Sequence, residues 1–452
     1  MLSRIKCRWL VVCSLLTATF AVHQTFAGNG LFQRQQVGGI LVDASGIISQ
    51  PSDVDIRKLC DEMKQRTKNA PQGVAQATEL RKVSLRQLER AISESPTKDI
   101  DSLPEEVRFM AGIQRIKYVL VYPEQNDIVF AGPGEGWKID DHGNVVGETT
   151  GHPVVLLEDL IVAFRTVDAA RQGGISCSID PTPEGRSALN SYLRRQNRFS
   201  QRVVANMAEK MGPQQITLSG VPETSHFARV LVGADYQMKR IAMHLEESPI
   251  DGLDSYLTRI KKSRRRVSAD LMPRWWLATD YEPLAKSADG LAWEIRGQGV
   301  KAMTEDEYVN ADGTVEGTGR ANPLAQDWAD DMTANFAELC KKESIFGQLR
   351  NIMDLCVISA LIKNEGLVEK VGCEIPVLSG QDDSISMFSY HAPKSIATQC
   401  SFIKKGSNYI ITASGGVMIE SWQAAIKSQE SRHVQELRQS VKHESNGEFW
   451  WN

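Results

Sequence analysis

Cys177 is the residue whose type and place most suggest nucleophilic chemistry. It lies on a predicted strand shortly before a predicted helix start, a setting that favours thiolates, with His152 and His391 available as bases. The competing reading is a buried structural cysteine. Glu158–Asp159 and Asp382–Asp383 are adjacent acids of the type hydrolases use for proton transfer, although adjacent acids are also ordinary solvated surface. His142, His152, His226, His244, His391, His433 and His443 are scattered. His226 and His244 share one predicted helix but stand about 27 Å apart along it, so no metal site is expected. No cofactor is expected either.

Two charged groupings point to ligands. Asp235 and Lys239 are four residues apart on that helix; they can pair for a few tenths of a kcal/mol, or face a ligand if another element covers them. Lys261, Lys262, Arg265 and Arg266 gather opposite the apolar face of a predicted helix over Asp251–Val267. They form a candidate site for a polyanion such as an acidic envelope polysaccharide or lipid headgroups. Basic residues at a helix end also serve the helix dipole, with Asp251 and Asp254 near its start. Trp275, Trp276 and Tyr281 could stack a flat ligand or fill a core.

Several familiar sites are excluded by spacing. Gly132, Gly134 and Gly136 read GxGxG before a predicted hairpin, whereas a dinucleotide fingerprint needs GxGxxG before a helix. Asn310–Gly313 would place Tyr308 and Gly319 at the first and twelfth positions of a calcium loop, and neither supplies the required oxygens. Walker A, G-x-S-x-G and H-E-x-x-H sequences do not occur.

The elements that must position these residues read as α+β. The anchor is Gln214–Leu245: a short strand, a break at Gly220 and Pro222, and a helix capped by Thr224 or Ser225. Its spacing predicts Phe227, Leu231, Ala234 and Met238 buried, with Arg229, Lys239 and Arg240 exposed. A similar strand, turn and helix begins at Ile175, with Thr182 as cap and the helix reaching about Lys210. Val37–Ile48 reads as a hairpin, Lys68–Thr78 as a linker, and Gly132–Gly136 as a bend. Met272–Val309 is strand-rich and bends at Gly297–Gly299. Leu324–Cys340 and Ile345–Ile362 form a predicted helical hairpin. Strands follow to Glu420, then a terminal helix over Ser421–Lys442. Segments 1–27, 28–100, 101–320 and 321–452 are the expected divisions.

Residues 1–27 carry a basic start (Arg4, Lys6, Arg8), an apolar run and the small-residue site Thr25-Phe26-Ala27. They read as a signal peptide, giving export to a periplasmic or extracellular location and a mature chain starting at Gly28. Removal would shift the formal charge from −4 to −7, so nucleic acid is not an expected partner. No later run reads as a membrane span. Six cysteines remain, and Cys373 with Cys400 is the preferred disulfide if one forms.

Four stretches carry a resemblance: GPGEGWKIDDHGNVVGETTGHPV from Gly132, SIDPTPEG from Ser178, GPQQITLSGVPETSHFARVLVGADYQMK from Gly212, and FGQLRNIMDLCVISALI from Phe346. Together they resemble an uncharacterised family of exported, planctomycete-type proteins defined by a domain of unknown function. The resemblance implies export and one shared domain, with no catalytic residues to carry over. The leading function class is a non-enzymatic binding or assembly protein of the envelope or exterior. The other is a hydrolase whose site forms only in three dimensions. A cleft joining Cys177, a histidine or paired acids would separate them.

Overall fold

Hydrophobic strands and one-sided helices build the mixed architecture anticipated, an α+β fold of two sheets with helices packed against them. The computed structural model describes residues 36–37, 39–196, 201–264, 271–310, 312–405, 407–411, 414–444 and 447–452. The proposed signal peptide lies outside the described residues, as do Arg265 and Arg266.

The larger sheet has ten strands in the order Gln36–Val37, Ile40–Val42, Ile47–Ser49, Ser395–Ile396, Gln214–Ser219, Ile175–Pro181, Ser414–Ile419, Leu271–Asp280, Gly299–Val309 and Val315–Gly317. It takes strands from each of the three segments after residue 27. Most pairs are antiparallel; Ser395–Ile396 runs parallel to Ile47–Ser49, and Ser414–Ile419 runs parallel to Leu271–Asp280. The smaller sheet has seven, ordered Ser428–Glu430, Leu284–Lys286, Ala292–Glu294, Tyr118–Tyr122, Asp127–Gly134, Thr78–Ser84 and Trp450–Trp451.

One apolar core joins the sheets to three long helices, Leu157–Gly173, His226–Ala242 and Ser344–Glu365. Among the described residues, Ser344–Glu365 is long and apolar enough to cross a membrane, against the expectation that no later run would be. Its apolar window is wholly buried, so it packs here as a core helix. Inside it, Asp354 receives Arg115 Nε at 2.8 Å and Tyr281 Oη at 2.8 Å, and the paired charges satisfy one another. The expected helical hairpin forms, with its first arm divided at Asn335 into Pro323–Ala334 and Phe336–Lys342.

The differences from expectation have local causes. Thr78–Ser84 is a strand, hidden in the sequence by its charged residues. Arg81 is fully buried, and its guanidinium donates to the carbonyls of Val74, Gln76 and Ala111 and to Asn452 Oδ1. Gly132 and Gly134 continue the strand Asp127–Gly134 and so do not form a bend. Added Cβ atoms there would lie 2.0 Å from the Arg115 carbonyl and 2.9 Å from Arg81 Cβ, which is why glycine suits that close packing. The helix capped by Thr182 ends at Leu193, and a second runs Gln201–Met211. The basic helix is Tyr256–Lys262, capped by Ser255, and is shorter than expected. The terminal helix is split into Ser421–Ala425 and Arg432–Ser440, because Ser428–Glu430 pairs with Leu284–Lys286. The final Trp450–Trp451 docks as a strand on Thr78–Ser84. All six described cysteines are free, so the Cys373–Cys400 preference is corrected: Cys373 is buried in the main core and Cys400 sits beside a satellite cluster.

Candidate functional site

Two helices bring their first turns to one cleft. Leu157–Gly173 contributes Glu158 and Asp159, placed where the positive end of a helix favours carboxylates. His226–Ala242 contributes His226 as its first residue. Ser225 caps that helix: its Oγ accepts from Ala228 N at 3.1 Å and donates to the Pro222 carbonyl at 2.7 Å. That hydroxyl is therefore engaged in holding His226 in place.

His226 Nδ1 lies 3.0 Å from both Asp159 oxygens, with 8% and 7% of the two side chains exposed. Burial would lower the imidazole, and so would the end of its own helix. Asp159 and then Glu158 overcome this and push it up to about 9. Glu158 is partly buried, and desolvation raises its carboxyl to about 7, against the lowering influence of His226. The two groups are thus separated by environment in the sense useful for acid–base work.

Glu158 and His226 line a cavity of about 140 Å³ with Ile161, Val162, Met387 and Phe388 on its walls and the exposed Pro222 and Thr224 at its edge. Met387 and Phe388 belong to the irregular segment 381–394, which crosses the cleft. Tyr390 N donates to the Thr224 carbonyl at 2.8 Å, and the Arg229 guanidinium donates to the His391 carbonyl. The Tyr390 ring lies 6.0 Å from His226 and 4.6 Å, edge-on, from Phe388. A wider depression of about 560 Å³ lies elsewhere, beside Arg86, Arg90 and Glu374. Its buried acid Glu89 is bonded to Val377 N and Leu378 N, and Arg90 to Glu94, which leaves it less chemistry to offer.

The residues singled out from sequence are distributed differently. Asp235 and Lys239 do form the expected pair at 3.0 Å, but Lys239 is not exposed; it is 3% exposed and also donates to the carbonyls of Ile179 at 2.7 Å and Gly415 at 3.0 Å. The sheet strands Ile175–Pro181 and Ser414–Ile419 cover that face. Arg229 is likewise buried and Arg240 partly so; Phe227, Leu231, Ala234 and Met238 are buried as expected. Cys177 is 3% exposed beside Asp235, and burial holds its thiol well above the ordinary range, contrary to an activated nucleophile. Lys261 and Lys262 are exposed, and Lys262 pairs with Asp254 at 2.6 Å. Asp382 bonds Ser384 N and Asp383 pairs with Arg165, so those acids do not act on one cleft. Trp275 packs edge-on to Tyr256 and Trp328, while Tyr281 turns to Asp354.

The sequence offers His226 as a metal ligand and Glu158–Asp159 as paired acids for hydrolysis or as solvated surface, without joining them. The signal available was a histidine directly after a capping serine; its partner 67 residues away has no sequence spacing to announce it.

A DUF1598 domain is found at residues 177–256, where the chain matches the family model described as "Protein of unknown function (DUF1598)". No curated protein and no solved structure matches the chain. The DUF1598 segment covers two of the four stretches that carry the resemblance. It holds Ser225, His226, Asp235 and Lys239, whereas Glu158, Asp159 and the crossing segment 381–394 lie outside it. The cleft is therefore built by the DUF1598 segment together with the rest of the chain.

Protonation should tie this site to stability. The His226 pKa is raised from 6.5 to about 9, so its contribution is fully present below 6.5 and is lost as pH rises through 9. The Glu158 pKa is raised from 4.5 to about 7, so ionising it above 4.5 also disfavours the folded state. Both effects have one sign: the unfolding free energy from urea titrations is expected to fall between pH 4.5 and 9. Asp159→Asn should flatten the portion above pH 6.5. A wild-type slope unchanged in Asp159→Asn would contradict the assignment.

Proposed function

We propose that the protein acts outside the cytoplasm as a binding protein of the envelope or exterior, with the Glu158–Asp159–His226 cleft as its small-ligand site. The observation that carries this reading is the cleft itself: apolar walls on Ile161, Val162, Met387 and Phe388, converging on a charged histidine and a carboxyl of displaced pKa. Ligand sites characteristically combine such walls with a few fixed polar groups. Export is supported by the pattern of residues 1–27 and by the resemblance to exported, planctomycete-type proteins. The ligand class that fits is a small molecule with an apolar body and a hydrogen-bonding tip. A polyanion at Lys261, Lys262, Arg265 and Arg266 belongs to the same extracellular setting.

Isobutyramide and benzamide, observed by saturation-transfer NMR, probe the cleft. Both are expected to show contact with wild type and to lose most of it in Met387→Trp, where a larger side chain occupies the wall. Equal signals from the two proteins, or none from wild type, would remove the cleft as the ligand site.

A further inference from the structure

We infer that this cleft also hydrolyses its ligand when that ligand is a small ester or amide with an apolar acyl group, an inference that rests on the cleft being the ligand site. Three placements lead to it. Asp159 holds His226 at Nδ1, leaving Nε2 as the nitrogen for a bound molecule. Glu158 lines the same cavity, so a carboxyl and an imidazole share one small volume. Ile161, Val162, Met387 and Phe388 form an apolar wall suited to an acyl chain, and the cavity of about 140 Å³ is sized for a short one. The Ser225 hydroxyl is engaged as helix cap, so the attacking group is water.

The Glu158 carboxylate takes one proton from that water while the water oxygen bonds to the acyl carbon. His226 Nε2–H gives a proton to the leaving oxygen or nitrogen as its bond to the acyl carbon breaks. The products are a carboxylic acid and an alcohol or amine. The proton held on Glu158 returns to His226 through solvent, and no oxidant or reductant is needed. Asp159 fixes the ring through its contact with Nδ1, as an orienting acid does in other acid–base sites. The working form has Glu158 ionised and His226 protonated, which places activity between about pH 7 and about pH 9.

The test uses ethyl acetate and ethyl butyrate, whose poor alkoxide leaving groups need the proton from His226, with acid release by the mature chain followed by pH-stat titration. Saturable hydrolysis is expected, with kcat/KM bell-shaped in pH and limbs near 7 and 9. Glu158→Gln and His226→Gln should each lower kcat/KM by about 100-fold, and Met387→Trp should raise KM more than it lowers kcat. Should His226→Gln fail to fold, the partly exposed Glu158→Gln decides. Hydrolysis no faster than the buffer blank, or retained in Glu158→Gln, overturns the inference. Amide binding without ester turnover overturns hydrolysis alone and leaves the ligand site standing; absence of both amide binding and turnover overturns the underlying reading as well.

Discussion

Lys239→Met should cost about 3–5 kcal/mol of folding free energy, the range for breaking a buried ion pair from one side. Lys239 has three ammonium donors, and three buried acceptors receive them: Asp235 Oδ2, the Ile179 carbonyl and the Gly415 carbonyl. The pair thus fastens the central helix to two neighbouring strands of the larger sheet. Removing the cation strands all three acceptors and leaves Asp235, fully buried, without its counter-charge. Burial already raises Asp235 to about 7 against the lowering influence of Lys239, so losing the lysine moves it higher still; proton uptake softens the loss, and the variant should weaken further as pH rises. Asp235→Leu combined with Lys239→Met should recover much of the stability, because it removes both charges together. Urea unfolding of the three variants measures this. A Lys239→Met midpoint equal to wild type at pH 8 would mean that the sheet does not close over this pair.

Leu231→Asp should be at least as damaging, costing upwards of about 4 kcal/mol. Leu231 is 0% exposed in the middle of the same helix, within the core shared with Ser344–Glu365 and the larger sheet. An aspartate there would have to stay charged without a partner or take up a proton, and it would also lose the packing of the leucine. A variant that kept the wild-type melting temperature would show this helix to be peripheral.

Much of the scaffold was legible because its signals are local. Ser225 and Thr182 cap the helices their positions announce, and the chain turns at Asp43–Gly46, within the expected hairpin, through a Gly46 N to Asp43 carbonyl bond. Apolar periodicity placed Phe227, Leu231, Ala234 and Met238 correctly. It failed for Arg229 and Lys239 because a period marks a helix face and cannot say that a sheet will cover the opposite one. Lys239 is buried by carbonyls at Ile179 and Gly415, residues 60 and 176 positions away. The strand Thr78–Ser84 was obscured for the same reason, since Arg81 finds its acceptors partly in the distant Ala111 and Asn452. The site followed this pattern. Its two halves were each noticed, as adjacent acids and as a lone histidine, but their union depends on two helix starts meeting in space.

The titration of His226 tests the site most directly. Two-dimensional NMR of ring-labelled histidine, assigned by comparison with His226→Gln, reports the pKa of this imidazole. The Asp159–His226 contact at 3.0 Å, with Glu158 nearby, gives an expected midpoint near 9 in wild type and a fall toward 6.5 in Asp159→Asn. A wild-type midpoint at the ordinary 6.5, unmoved by Asp159→Asn, would contradict the proposed cluster and with it the functional cleft.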